Sequence, residues 1–162
     1  MQIIPLTTEE QAKCGFTHKI VLTYTDLAAE TSGTGFAIFP KFSEQSANVV
    51  PIGTRVSACA IRVVTIGVAA SMTDLSVVIG DDGSTNRFLT SSEVGGTTSP
   101  VAAGIWYETF AAAPYIYTTA NTIDMVATAT GAALSALTAG EWHVYLALAD
   151  MVSIDTGTQP AF

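Results

Sequence analysis

The stretch Val77 to Leu89, "VVIGDDGSTNRFL", holds the densest grouping of residue types that could do chemistry. Asp81 and Asp82 are adjacent carboxylates on a glycine-containing turn, with Asn86 and Arg87 close behind, the raw material of a metal or sugar site. The calcium reading fails on spacing. A calcium loop needs carboxylates in a D-x-[DN]-x-[DN]-G frame and a Glu at the twelfth position, and neither occurs here. Asp-Gly followed by Ser-Thr-Asn is also ordinary turn chemistry, since Asp and Asn bond their own backbone and Gly accepts positive φ. The stretch is therefore predicted to be a strand, a tight polar connection and the next strand, with Arg87 pairing to Asp81 or Asp82.

Other reactive side chains are sparse. His18 and His143 lie inside strand patterns without an HxH or HExxH companion, which leaves them without metal-ligand spacing. His143 shares a strand face with Glu141 and Tyr145, a setting that orients an imidazole; a structural or interface role is expected of it. Asp74, Asp81, Asp82, Glu93, Glu108, Asp124 and Glu141 could supply a glycosidase pair, but only a measured separation gives two carboxylates that meaning. No GxSxG elbow and no GxxxxGK[ST] loop is present. No enzyme activity, catalytic residue, cofactor or metal is predicted. Cys14 and Cys59 show no CxxC or CxxH spacing and are read as buried thiols.

Composition narrows the classes further. The chain has 162 residues, enough for one domain with a real core, and a formal net charge of -8. Six basic residues, Lys13, Lys19, Lys41, Arg55, Arg62 and Arg87, are scattered, which argues against a nucleic-acid partner. The longest nearly unbroken apolar run, around Val63 to Met72, is far shorter than the roughly 20 residues that span a bilayer, so no membrane partner is expected. Glu9 and Glu10 occupy the place of the cationic n-region of a secretory signal, so export by a signal peptide is not expected. The charged fraction is 12%, about half of the roughly 25% usual for a soluble domain. Much of the outside is then either Thr, Ser and Ala or covered by other subunits, and the positive mean hydropathy favours an oligomer.

The elements that must position these residues read as strands. His18–Tyr24, Gly35–Pro40, Thr54–Ile66, Asp74–Gly80, Asn86–Thr90, Gly104–Phe110, Tyr115–Thr119, Asn121–Thr130 and Glu141–Met151 are rich in β-branched and aromatic residues. In the last, Trp142, Val144, Leu146 and Leu148 alternate with Glu141, His143 and Tyr145; in Asn121–Thr130, Ile123, Met125, Ala127 and Ala129 oppose Thr122, Asp124, Thr128 and Thr130. A short N-terminal helical turn is predicted after an N-cap at Thr7 or Thr8, stopping at Gly15, and one turn after Asp26. The predicted class is all-β: a single antiparallel, jelly-roll-like β-sandwich of about eight to nine strands. It spans 1–162, with an N-terminal arm over 1–16 and a C-terminal arm over 153–162.

The order of "LSVVIGDDGSTNRFLTSSEV" followed by "PYIYTTANTIDMVATATGAALSALTAGEWHVYLALADM" resembles structural proteins of tailed phages, with "NRFL" (Asn86 to Leu89) and "LTAGEW" (Leu137 to Trp142) carrying most of the likeness over Leu75 to Met151. The resemblance is to small β-sandwich capsid decoration or cement proteins. It implies a homotrimer that binds the major capsid protein, made in the host cytoplasm and residing on the virion surface, with arms 1–16 and 153–162 reaching neighbours. One alternative is a carbohydrate-binding or host-recognition module of a fibre or spike, using Trp106, Tyr107, Tyr115 and Tyr117 as an aromatic face; a jelly-roll capsid protein is another. Against the aromatic face stands the expectation that these rings alternate into the core and the subunit seam.

Overall fold

The computed structural model describes residues 1–39, 49–98 and 101–151; within these, the side chains of 110–113 and 150 lie outside the description. The chain is all-β. Its strands are β1 (Gln2–Pro5), β2 (His18–Thr23), β3 (Gly35–Phe39), β4 (Thr54–Val68), β5 (Asp74–Asp81), β6 (Ser84–Gly95), β7 (Trp106–Ile116), β8 (Ile123–Thr130) and β9 (Ala139–Asp150), with helices α1 (Thr8–Cys14) and α2 (Tyr24–Ala28). A 3-10 turn, Leu134–Ala136, leads into β9.

Two antiparallel ladders organise the strands. One runs β1-β2-β9-β4-β7 and the other β3-β8-β5-β6. They join through one parallel pair, Gly67 against Gly95, so the sheet is mixed rather than wholly antiparallel as predicted. The reason lies in β4, which is long and irregular: its pairing with β9 shifts register three times, and between the β9 pairs at Thr65 and Val68 its Gly67 turns to β6. Two glycines let the backbones meet. A Cβ on Gly95 would stand 2.5 Å from the carbonyl oxygen of Gly67.

The predicted alternation places the core. Trp142, Val144 and Leu146 of β9 are buried, as are Ile123, Met125 and Ala127 of β8, and residues from both ladders share one apolar cluster. Burial of this many side chains at about 25 cal/mol per Å² is the main driving force. Helix α1 starts at the predicted cap: the Thr7 amide donates to Glu10 Oε2 at 2.9 Å and the Glu10 amide to Thr7 Oγ1 at 3.3 Å, a reciprocal capping box. It stops at Gly15, whose φ of 74° is the left-handed conformation that favours glycine. Asp26 is likewise held in α2 by the Thr23 amide.

Four further expectations are corrected. The two strands predicted at Gly104–Phe110 and Tyr115–Thr119 are replaced by a single strand, β7, over Trp106–Ile116, because residues 111–114 bulge out between Phe110, opposite Ala58, and Tyr115, opposite Val56. Residues 2–5 add a strand that a four-residue segment ending in Pro5 did not announce. Cys59 is buried, but Cys14 is exposed: it ends α1, a helix with no buried residue, and the packing onto the sheet is done by the flanking Leu6 and Phe16. Residues 1–16, predicted as an arm, lie along the edge and outer face of the first ladder. The predicted arm 153–162 lies outside the described residues.

Candidate interaction face

The Asp81–Arg87 loop is a closed unit. Asp82 and Gly83 connect β5 to β6, with Asp81 opposite Ser84. Asp81 is 1% exposed; its Oδ1 accepts from the amides of Gly83 and Ser84, both at 2.9 Å, and its Oδ2 accepts from Arg87 Nε at 2.8 Å. The guanidinium also lies 4.1 Å over the Tyr115 ring. Gly83 serves close approach rather than positive φ, since a Cβ there would stand 3.1 Å from Arg87 Nη2. The Asp81 carboxylate is thus occupied in shaping its own turn. Asp124 nearby is raised above the usual carboxylate range, first by burial and then by the charges of Asp82 and Asp81. Among the described residues no three His, Cys, Asp or Glu side chains converge as a metal set.

A second pair of carboxyls sits on β5 and β6. Asp74 Oδ1 and Glu93 Oε2 are shielded from solvent and meet no donor from elsewhere. A hydrogen bond to Asp74, then burial, then the Asp74 charge push Glu93 up to about 7. Because this folded-state value lies above the ordinary 4.5, the stability it contributes is complete below 4.5 and is lost as pH rises through about 7. Glu93→Gln, which keeps a donor and removes the charge, should raise the unfolding midpoint at pH 8 by roughly 3–6 °C and leave it unchanged at pH 4. Thermal unfolding at the two pH values checks this; an equal shift at both would show that the pair does not share a proton.

The outward face of the first ladder carries the largest exposed ring. Registers of β7, β4 and β9 set Trp106, Arg62 and His143 side by side in one row, and Glu108, Ala60 and Tyr145, with Lys19 of β2, in the next. Trp106 is 44% exposed; its ring lies 5.0 Å from that of Tyr145, and the Arg62 guanidinium is 5.6 Å from its centroid. His143 Nε2 is 2.8 Å from Glu141 Oε1. Leu6 and Phe16 cover the other half of this face over Ala58, Ala60 and Ala147.

The four aromatics proposed as one face are therefore divided. Tyr117 is buried and its hydroxyl donates to the Thr122 carbonyl at 3.4 Å, Tyr115 packs edge-on against it, Tyr107 is half-buried against the core, and Trp106 faces out. The partner of Trp106 is Tyr145, which the alternation of β9 had already placed beside Glu141 and His143. His18 sits edge-on to Phe39, with burial holding its imidazole below the usual range.

No protein family matches the chain, and no curated protein does. Two solved structures show partial similarity. The cyanophage Pam1 capsid asymmetric unit matches at 16% identity and a TM-score of 0.49, over 79% of this chain and 79% of that one. The acidic stable capsid structure of Helicobacter pylori bacteriophage KHP30 matches at 16% identity and a TM-score of 0.38, over 90% of this chain and 91% of that one. Both are phage capsid structures. Neither identity reaches a level at which residue roles transfer. Among the described residues no helix is long and apolar enough to cross a membrane.

Proposed function

We propose that this chain is a phage virion structural protein, and within that class a decoration or cement protein that binds the major capsid protein and stabilises the shell. The observation that carries the reading is a surface poor in charge yet dotted with large apolar side chains. Only 12% of residues are charged, while Ile52, Val68, Ile105, Trp106 and Ile116 are each more than a third exposed. A chain that works by burying its outside against neighbours needs such a surface and needs no active site. The two partly similar structures are phage capsids, but the weight rests on this surface and on the "NRFL" and "LTAGEW" segments.

In this reading the two ladders pack as the layers of a jelly-roll-like sandwich, three copies associate, and residues 153–162 reach neighbouring subunits. Capsids assembled without this chain should bind it saturably, at a fixed ratio to the shell subunit, and removal of residues 153–162 should weaken that binding. Absence of saturable binding by the full chain would overturn the proposal. The carbohydrate-binding alternative keeps Trp106 as its one well-exposed ring of the original four. A chain that formed shells by itself would instead be a capsid protein.

A further inference from the structure

We propose that the uncovered half of the first ladder's outer face, centred on Trp106, Arg62 and Tyr145, is the surface on which a second copy of this chain docks. The inference rests on the structural-protein reading above and adds where self-association occurs. Charge is the first argument. Two chains of net charge -8 repel, so cations placed where the copies meet favour association. Among the described basic residues, Lys13 is paired with Glu9 and Arg87 with Asp81; of the remaining three, Lys19, Arg55 and Arg62, Lys19 and Arg62 lie in the rows around Tyr145 and Trp106. Arg62 Nε is shielded and has no hydrogen-bond partner.

Carboxylates stand on the same face, with Glu108 one row from Arg62 and exposed, and Glu141 beside His143. A surface carrying both signs suits a three-fold ring, in which each copy offers a carboxylate to the next copy's guanidinium. Packing is the second argument. A Trp, a Tyr and an Arg in mutual contact at the centre of a partly covered face form the combination that dominates interface energetics. Ile105, exposed beside Trp106 just before β7, extends the apolar part toward that strand's edge.

Cys14 supplies a native probe. It is exposed at the end of α1, two positions before Phe16, whose ring lies 5.8 Å from that of Tyr145, while Cys59 is buried. The experiment measures mass by light scattering after size exclusion, together with the rate at which a maleimide labels Cys14, over a range of concentrations. The full chain should be oligomeric, with Cys14 labelling slowed in the oligomer. Trp106→Ala and Arg62→Glu should each weaken association by about tenfold or more while leaving the unfolding midpoint near wild type. A wild-type chain that stays monomeric, variants that associate as the wild type does, or an oligomer in which Cys14 labels at the monomer rate would overturn the assignment. A monomer whose Trp106 instead binds glycans on an array would do so as well. Capsid binding is read separately: an oligomer that ignores capsids sinks the proposed function and leaves this interface standing, and the reverse result does the opposite.

Discussion

Trp142→Ala should lower the unfolding midpoint by roughly 10 °C or more, the largest effect expected of any single truncation in this chain. Trp142 is 1% exposed and reaches from β9 toward β6, where its Nε1–H donates to the Val94 carbonyl at 3.1 Å. The ring occupies a slot made by glycines. A Cβ on Gly67 would stand 2.9 Å from its Cζ2, and one on Gly140 2.3 Å from its Cη2. Removing the indole leaves a cavity at the place where the two ladders join and strips Val94 of its donor. Core truncations of Trp cost about 3–5 kcal/mol, and 1 kcal/mol moves the midpoint by about 2–4 °C in a chain of this size. Trp142→Phe should fall between, since it refills part of the slot but leaves the carbonyl unpaired. Thermal unfolding followed by circular dichroism measures both. A drop of only a few degrees for the Ala variant would mean that the junction is not held by this side chain.

Asp81→Ala comes second, at about 3 kcal/mol, while its neighbour Asp82→Ala should stay within about 0.5 kcal/mol. The contrast follows from burial. Asp81 is enclosed and satisfies two amides and the Arg87 guanidinium, whereas Asp82 is exposed at the tip of the turn. Deleting the Asp81 side chain leaves a half-buried cation over Tyr115 without its counter-charge and two turn amides without their acceptor. Asp81→Asn should lose less, because an amide oxygen can still accept from Gly83 and Ser84. Denaturant unfolding of the three variants distinguishes them, and equal losses at 81 and 82 would contradict the closed-loop description.

The same loop shows what sequence could and could not deliver. Turn chemistry in "DDGSTN" and the pairing to Arg87 were legible because both are local: the partners are six positions apart. Period-two alternation likewise placed the core faces of β8 and β9, since burial of one face is written into every second residue. Register between distant strands is not written in that way. That Gly67 would touch Gly95, or that Trp106 would stand beside Arg62 and lean on Tyr145, depends on pairings set by the whole fold. The bulge of residues 111–114 hid the continuity of β7 for a related reason: an "AAAP" interruption reads locally as a loop, and only pairing with β4 on both sides makes one strand of it. Cys14 was misplaced because thiols are usually buried, whereas α1 packs through its flanks and not through its own residues.

The face was half legible. Glu141, His143 and Tyr145 were grouped from β9 alone, and Trp106 was singled out as an aromatic, but the aromatics were grouped by closeness in sequence. Alternation sends Tyr107 to the core side and keeps Trp106 with Glu108 outside, so neighbours in the chain part company across the sheet.

The central claim is that this chain is a capsid-binding structural protein, and the measurement that meets it most directly is a binding isotherm on capsids assembled without it. Sedimentation of such shells with increasing amounts of the full chain should give saturable uptake at a fixed ratio to the major subunit, and the decorated shells should resist heating better than bare ones. Uptake that never saturates, or none at all, would contradict the claim.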